Sequence, residues 1–148
     1  MFIVYEMECE DRPENRSAIE PVLFTPEYKD AYKKMYNGCY REMREALGIR
    51  PVDFISDDSF FDEGMDCVYL LIDNGELIGS VALKGSEIDD LIVDPGYQGR
   101  GYGKELLLWA LEHMPEGRVI LHVAEWNARA IALYEKYGFR ISKRIEIR

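Results

Sequence analysis

The chain has 148 residues, 18 of them basic and 28 acidic, which gives a net charge of −10. The negative electrostatic field of such a chain repels phosphate backbones and anionic lipid, so neither nucleic acid nor a membrane is an expected partner. With 47% hydrophobic and 31% charged residues, the composition is typical of a globular domain and excludes a disordered or membrane-embedded chain. The three cysteines lack metal-type spacing, so we expect free thiols, no metal and a cytoplasmic location.

The N-terminal part of the chain predicts strands followed by a long helix and an acidic segment. Thr25 and Pro26 are typical of a helix start, and Gly48 of a helix end. Between them, apolar residues recur at three- and four-residue steps, which predicts an amphipathic helix. An irregular segment with a short helix follows, with six acids and no base. These elements are expected at residues 2–5, 22–24, 28–47 and 51–66.

The rest of the chain alternates strand and helix patterns. The turn signal at residues 73–75 lies between two apolar runs and predicts a hairpin. Strands are expected at residues 68–72, 77–83, 87–94, 118–123 and 139–147, and helices at residues 104–114 and 127–137. We therefore predict one mixed α/β domain over residues 1–148, whose sheet combines antiparallel hairpins with strands joined through helices.

The most informative segment, residues 94–104, lies between a predicted strand and a predicted helix. Glycine occupies every second position, at Gly99, Gly101 and Gly103. Such glycines let successive N–H groups converge on one point, and the helix behind them adds its positive N-terminal end. Because Arg100 and Lys104 supply charge beside them, the segment predicts an anion site suited to a pyrophosphate. A tight strand-to-helix turn without a ligand is the alternative.

Two other nucleotide-binding patterns fail in this segment. A Walker A loop would need glycine at Gln98 and Ser or Thr at Glu105. A dinucleotide fingerprint starting at Gly101 would need a third glycine where Leu106 stands. A P-loop nucleotide site and a nicotinamide cofactor are therefore disfavoured.

The turn instead matches the Q/R-x-x-G-x-G/A pyrophosphate motif, and here the chain resembles the GNAT superfamily of N-acetyltransferases. Residues 91–95 resemble the family's fourth strand, and residues 127–139 resemble its second motif. Together the similarity covers residues 66–148, and two motifs in the right order are more specific than either alone. The resemblance implies a mostly antiparallel mixed sheet with helices on both faces and a splayed central pair of strands.

The resemblance also implies acetyl-CoA as co-substrate, bound by the splayed strand, by residues 94–104, which we call the glycine turn, and by one side-chain amide. The residues implied to bind it are Leu91, Ile92, Val93, Gln98, Gly99, Arg100, Gly101, Tyr102, Gly103, Lys104 and Asn127. A plain helix cap is the alternative for Asn127. Tyr134 is implied to protonate the departing thiolate, which suits a phenol of pKa about 10 facing a thiolate whose acid has a pKa near 8.5. A structural tyrosine is the alternative.

An acceptor amine must lose a proton before it attacks, so a general base or water is required. Glu87 matches the place where some family members carry that base; Asp89, His122 and water are the alternatives. Regular strand alternation would put only one of Asp89 and Asp90 on the side of Glu87. Acids beside a hairpin turn are also often simply solvated.

The prediction from these features is an acetyl-CoA-dependent N-acetyltransferase that transfers acetyl directly to a primary amine of a small molecule or peptide. The acids of residues 51–66 favour a cationic acceptor, and the resemblance allows a homodimer. A non-catalytic acyl-CoA-binding or sensing module is the alternative, although a binder would not need Tyr134. A protein-interaction domain that uses the stripe Tyr28, Tyr32 and Tyr36 is a third reading, but helical spacing favours a core role for these residues.

Overall fold

A computed structural model describes residues 1–148. One seven-stranded sheet and three α-helices make up its regular structure. The strands are β1 (Phe2–Cys9), β2 (Val22–Leu23), β3 (Val68–Asp73), β4 (Glu76–Lys84), β5 (Glu87–Val93), β6 (Val119–Ala124) and β7 (Arg140–Ile147), and the helices are α1 (Lys29–Ala46), α2 (Tyr102–His113) and α3 (Ala128–Lys136). None of these helices has the length and apolar character that crossing a bilayer requires.

The strand order is β2-β3-β4-β5-β6-β1-β7. Every neighbouring pair is antiparallel except β5 and β6, which are parallel. The predicted mixed and mostly antiparallel sheet is therefore confirmed. The insertion of the first strand between β6 and β7 was not predicted, because strand order depends on contacts between distant parts of the chain.

β1 runs four residues beyond the predicted segment 2–5, although this extension contains two acids. Both acids, Glu6 and Glu8, are buried. Glu8 accepts hydrogen bonds from Arg118 at 2.6 Å and Arg140 at 2.9 Å, which lie on either side of β1. These two guanidinium groups hold the pKa of Glu8 below its usual value. The neighbouring strands thus supply the charges that let an acidic strand be buried.

The central pair β5 and β6 separates soon after it begins. The two strands pair only at Glu87 and Ile120. Beyond that point each strand continues without the other, which confirms the predicted splay. The resulting gap lies in the middle of the sheet and positions the candidate site.

Helices cover both faces of the sheet, as predicted. One buried cluster joins α1 to the sheet and includes Tyr32, Met35 and Ile92. A second cluster on α2 and α3 includes Leu106, Tyr134 and Ile88. Each helix therefore buries an apolar face against one side of the sheet.

A bulge in β5 changes which face its side chains point to. Asp90 has a φ of +45°, and the register with β4 shifts opposite it. Ile88 packs in the cluster of α2, whereas Ile92 packs in the cluster of α1. Two residues four positions apart would share a face in a regular strand. The bulge therefore turns the second half of β5 toward α1.

The acidic segment 51–66 forms short 3₁₀ turns and no α-helix. The turns span Asp58–Asp62 and Met65–Cys67. At the first turn, the Asp57 side chain accepts a hydrogen bond from the Ser59 N–H at 2.9 Å, and a bond of this kind competes with helix formation. Gly64, whose φ of +80° lies in the left-handed region, separates the second turn from the first. The segment packs against α1 in this irregular form.

Candidate active site

The loop between β5 and α2 presents backbone donors at the start of a helix. Gly101 precedes α2, has a φ of +88° in the left-handed region, and has no side chain to cap the helix. The first N–H groups of α2, from Tyr102 to Lys104, lack partners within the helix. Since they also lie at the positive end of the helix dipole, this position favours an anion.

A groove of about 310 Å³ lies in front of these donors. The glycine turn and α2 line one side, and α3 lines the other. Two basic residues face the groove, Lys104 and Arg129. A guanidinium nitrogen of Arg129 lies 3.8 Å from the position that a Cβ on Gly99 would occupy, so it reaches across to the turn. Free N–H groups and two cations in a chain of net charge −10 fit a pyrophosphate.

A cavity of about 470 Å³ continues from the groove into the gap between β5 and β6. Because the strands have separated here, the backbone edge of β5 is open along the cavity. The Val93 carbonyl oxygen accepts hydrogen bonds from the Gln98 amide at 3.0 Å and the Cys39 thiol at 3.1 Å. A cleft with an open strand edge suits an extended chain that carries amides, such as pantetheine. The residues therefore fit acetyl-CoA along the whole path.

Most residues implied to bind acetyl-CoA line the groove, the cavity or both. They are Leu91, Ile92, Val93, Gln98, Gly99, Gly101, Tyr102, Gly103, Lys104 and Asn127. Arg100 lines neither: it is exposed, with its guanidinium 5.4 Å from the ring centroid of Tyr97. Arg129 lines the groove but was not predicted, although it stands two residues after Asn127 in the second motif.

Asn127 and Tyr134 both reach the point where the groove and the cavity meet. The Asn127 side-chain oxygen accepts a hydrogen bond from the Ala130 N–H at 3.2 Å, so Asn127 also caps α3. The Tyr134 hydroxyl has no hydrogen-bond partner in the protein, and no polar side-chain atom is both buried and unpartnered. This hydroxyl is therefore open to the cavity. Burial raises the pKa of Tyr134 to about 12, so it carries its proton at neutral pH.

The cavity wall also contains a half-buried carboxylate, Asp90. It accepts hydrogen bonds from the Tyr40 hydroxyl at 3.0 Å and the Tyr36 hydroxyl at 3.3 Å, both on α1. Burial, followed by the neighbouring charge of Asp89, raises the pKa of Asp90 to about 6. A carboxyl group with this pKa is mostly ionised at neutral pH and can take up a proton.

Glu87, the predicted base, lines neither the groove nor the cavity. Its carboxylate lies 3.1 Å from Nδ1 of His122, which does line the cavity. The other ring nitrogen of His122 lies 3.3 Å from the Glu6 carboxylate. Each nitrogen of His122 thus already faces a carboxylate, and Glu87 is connected to the cavity only through this ring.

Both acids that follow Glu87 line the cavity, contrary to regular alternation. The bulge at Asp90 explains the difference, because it turns Asp90 to the same side as Asp89. Asp89 is paired with Lys84 at 2.8 Å, whereas Asp90 has only hydroxyl donors from side chains. Of the acids on β5, Asp90 is thus the one that faces the cavity without a cation.

The tyrosines of α1 that contact Asp90 were not predicted as site residues. Helical spacing assigned Tyr36 to the core, and it is indeed buried. Its hydroxyl and that of Tyr40, one turn later, nevertheless both point to one carboxylate. Hydroxyl groups on a buried helical stripe require polar partners, and this requirement is the signal that could have identified them.

Comparison with known proteins shows the family to which the chain belongs. The sequence profile of the Acetyltransferase (GNAT) family matches residues 28–139. This match covers well over half of the sequence, and the chain therefore belongs to the GNAT family of acetyltransferases. An acetyltransferase of that family from Colwellia psychrerythraea has the same fold, with a TM-score of 0.68 at 12% identity, over 97% of this chain and 54% of that one.

Two curated relatives differ in how much of the chain they match. A spermine/spermidine N(1)-acetyltransferase of Bacillus subtilis is 26% identical over 137 residues, which cover 90% of this chain and 86% of the relative. The peptidyl-lysine N-acetyltransferase YjaB of Salmonella typhimurium is 36% identical over 75 residues, which cover 51% of this chain and 50% of the relative. The chain thus spans about half the length of the second relative.

Proposed function

We propose that the protein is an acetyl-CoA-dependent N-acetyltransferase whose acceptor is a cationic primary amine. One observation carries this proposal: a single continuous cleft joins the anion-binding turn to the free hydroxyl of Tyr134 and then to the carboxylate of Asp90. A site that only binds an acyl-CoA would need the first part of this cleft but not the second. Two relatives whose names specify polyamine and lysine acceptors support the same class of amine.

When bound, acetyl-CoA supplies the acetyl group as a thioester, whose carbonyl carbon bonds to the amine nitrogen while its bond to sulfur breaks. The N–H groups of the glycine turn, with Lys104 and Arg129, hold the pyrophosphate. The open edge of β5 orients the chain that leads to the sulfur. The whole first part of the cleft thus positions the thioester near Tyr134.

Asp90 acts as the base in this proposal. The acceptor arrives as an ammonium ion, and the Asp90 carboxylate takes one of its protons, which frees the nitrogen lone pair. Tyr40 and Tyr36 donate to the same oxygen and keep the carboxylate oriented toward the cavity. A pKa near 6 keeps Asp90 ionised at neutral pH while leaving it basic enough to receive the proton.

Tyr134 acts as the acid. Its hydroxyl has no competing partner in the protein, so it can donate to the sulfur as negative charge develops there. The nitrogen releases its second proton as the amide forms, and this proton restores the Tyr134 hydroxyl. The balance is one ammonium and one thioester giving one amide, one thiol and one proton held by Asp90, which then passes to solvent.

The test is a screen for release of the CoA thiol from acetyl-CoA, in the presence of polyamines, lysine peptides, aminoglycosides and amino acids. We expect steady turnover with one class of cationic primary amine and formation of the matching N-acetyl product by mass spectrometry. Tight binding of acetyl-CoA without turnover on any amine would instead identify an acyl-CoA-binding module and overturn the proposal.

A further inference from the structure

A third space, of about 250 Å³, lies on the other side of Asp90 from the Tyr134 cavity. It is lined by α1, the sheet and the acidic segment 51–66. It shares Tyr36 and Asp90 with the larger cavity, so the Asp90 carboxylate borders both spaces. We call this space the aromatic chamber, because four of its lining residues are Tyr or Phe.

The rings of the aromatic chamber are arranged around its opening. Phe60 lies 5.5 Å from Tyr36 and 6.1 Å from Phe54, with the two phenylalanine rings nearly perpendicular. Phe54 is 47% exposed, although its ring lies beside those of Tyr36 and Phe60. The Arg44 guanidinium lies 5.2 Å from the centroid of Phe54, so this ring already attracts one cation. Aromatic faces of this kind favour a cationic ligand.

The charges around the chamber favour a cation as well. Lys84 is its only basic residue, and its ammonium group is paired with Asp89 at 2.8 Å. Glu63 lines the opening and has no ion-pair or hydrogen-bond partner within the chain. Asp90 has only tyrosine hydroxyls as side-chain donors. Two carboxylates therefore face the chamber without a cation of their own.

We propose that the aromatic chamber holds a second ammonium group of the acceptor, between the phenylalanine rings and Glu63, while the reacting amine lies at Asp90. This inference rests on the proposed function and narrows it to linear aliphatic diamines and polyamines. An alkyl chain suits the apolar walls between the two carboxylates, and a carboxylate-bearing acceptor would be repelled by both.

The experiment compares kcat/KM for diamines and polyamines with kcat/KM for monoamines of the same chain length. We expect the native protein to prefer the diamine, and Glu63→Gln to reduce this preference about two- to fivefold while leaving the monoamine unchanged. The matched control is Asp62→Asn, which removes the same charge one residue earlier outside the chamber. Phe54→Leu, at an exposed position, should reduce the preference while keeping the apolar wall.

Equal effects of Glu63→Gln and Asp62→Asn, or no diamine preference at all, would refute the chamber as the site of the second ammonium group. The proposed transferase activity would be unaffected by that result. If no amine is acetylated, the proposed function fails, and calorimetry with spermidine then tests the chamber alone. Weaker spermidine binding in Glu63→Gln than in Asp62→Asn would support it, and equal binding in the two variants would overturn it.

Discussion

The cofactor end of the cleft is built largely from one continuous stretch of chain, whereas the acceptor end is assembled from several distant ones. Residues 91–104 supply the open strand edge, the glycine turn and the helix start, with α3 closing the groove. The acceptor end combines α1, the bulged part of β5, β6 and the acidic segment 51–66. The first end uses mainly backbone groups, and the second uses side chains. Substitutions should therefore act through affinity at the first and through rate and specificity at the second.

The largest effect is expected where the two ends meet, at Tyr134. Tyr134→Phe should lower kcat by about 10²–10⁴-fold and leave the KM for acetyl-CoA nearly unchanged, because the hydroxyl matters only as the sulfur gains charge. Steady-state kinetics with saturating amine measures both constants. Tyr137→Phe, on a half-buried tyrosine that lines neither space, is the control and should behave like the parent. Parent-like turnover of Tyr134→Phe would make Tyr134 structural.

At the acceptor end, Asp90→Asn should lower kcat/KM by about 10²-fold at pH 7.5, because the amide cannot accept the ammonium proton. In the parent, the rate should rise with pH through about 6, where Asp90 loses its proton. That limb of the pH profile should disappear in the variant. Glu87→Gln tests the alternative that Glu87 is the base. If Glu87→Gln removes the rise of the rate near pH 6 and Asp90→Asn does not, Glu87 is the base.

The same Asp90→Asn change should stabilise the fold at neutral pH. The pKa of Asp90 is about 6 in the folded chain and 3.8 for an ordinary carboxyl, so the folded state binds more protons between these values. Its stability therefore falls as the pH rises from about 4 to 6. Removing the charge should raise the free energy of unfolding by at most about 3 kcal/mol at pH 7.5. Urea unfolding at pH 7.5 and pH 4 measures this, and an equal gain at both pH values would exclude the titration of Asp90 as the cause.

At the cofactor end, Gly101→Val should weaken acetyl-CoA binding by more than tenfold, which corresponds to about 1.4 kcal/mol. A branched residue resists the left-handed backbone at Gly101 and crowds the donors in front of the pyrophosphate. Gly117→Val imposes a comparable backbone strain, at a φ of +102°, away from both spaces. Isothermal calorimetry on the two folded variants separates the effect of backbone strain from the loss of acetyl-CoA contacts. Equal acetyl-CoA affinities of the two variants would refute the glycine turn as the pyrophosphate site.

The smallest effect distinguishes two arginines near the glycine turn. Arg129→Gln should weaken acetyl-CoA binding about two- to fivefold, since Arg129 lines the groove as an exposed charge. Arg100→Gln should change it little, because Arg100 lies over Tyr97 outside the groove. Titrations at low salt would resolve the two variants. A larger loss of acetyl-CoA affinity in Arg100→Gln than in Arg129→Gln would mean that the turn rearranges when it binds the cofactor.

The glycine turn before α2 and the order of most elements could be predicted from the sequence alone. Alternating glycines before a helix specify a local backbone shape, and the hairpin signal at residues 73–75 specifies a local turn, so neither depends on distant parts of the chain. The family motifs, the three α-helices and most strands could be predicted for the same reason. α2 begins at Tyr102, two residues before the predicted start at residue 104. Gly101 sets this start, because its left-handed conformation ends the turn.

The acceptor end, in contrast, depends on how distant segments pack together and could not be predicted from the sequence. A one-residue bulge in β5 turns Asp90 to the side of Asp89, so both acids line the cavity, whereas Glu87 before the bulge does not. The partners of Asp90, Tyr36 and Tyr40, lie about 50 residues away in sequence, on a helix whose spacing indicates only a buried face. β1 lies between β6 and β7 through backbone pairing with both strands, and no local pattern encodes these long-range pairs. Side-chain sites that join distant segments depend on packing, whereas backbone sites depend on local geometry.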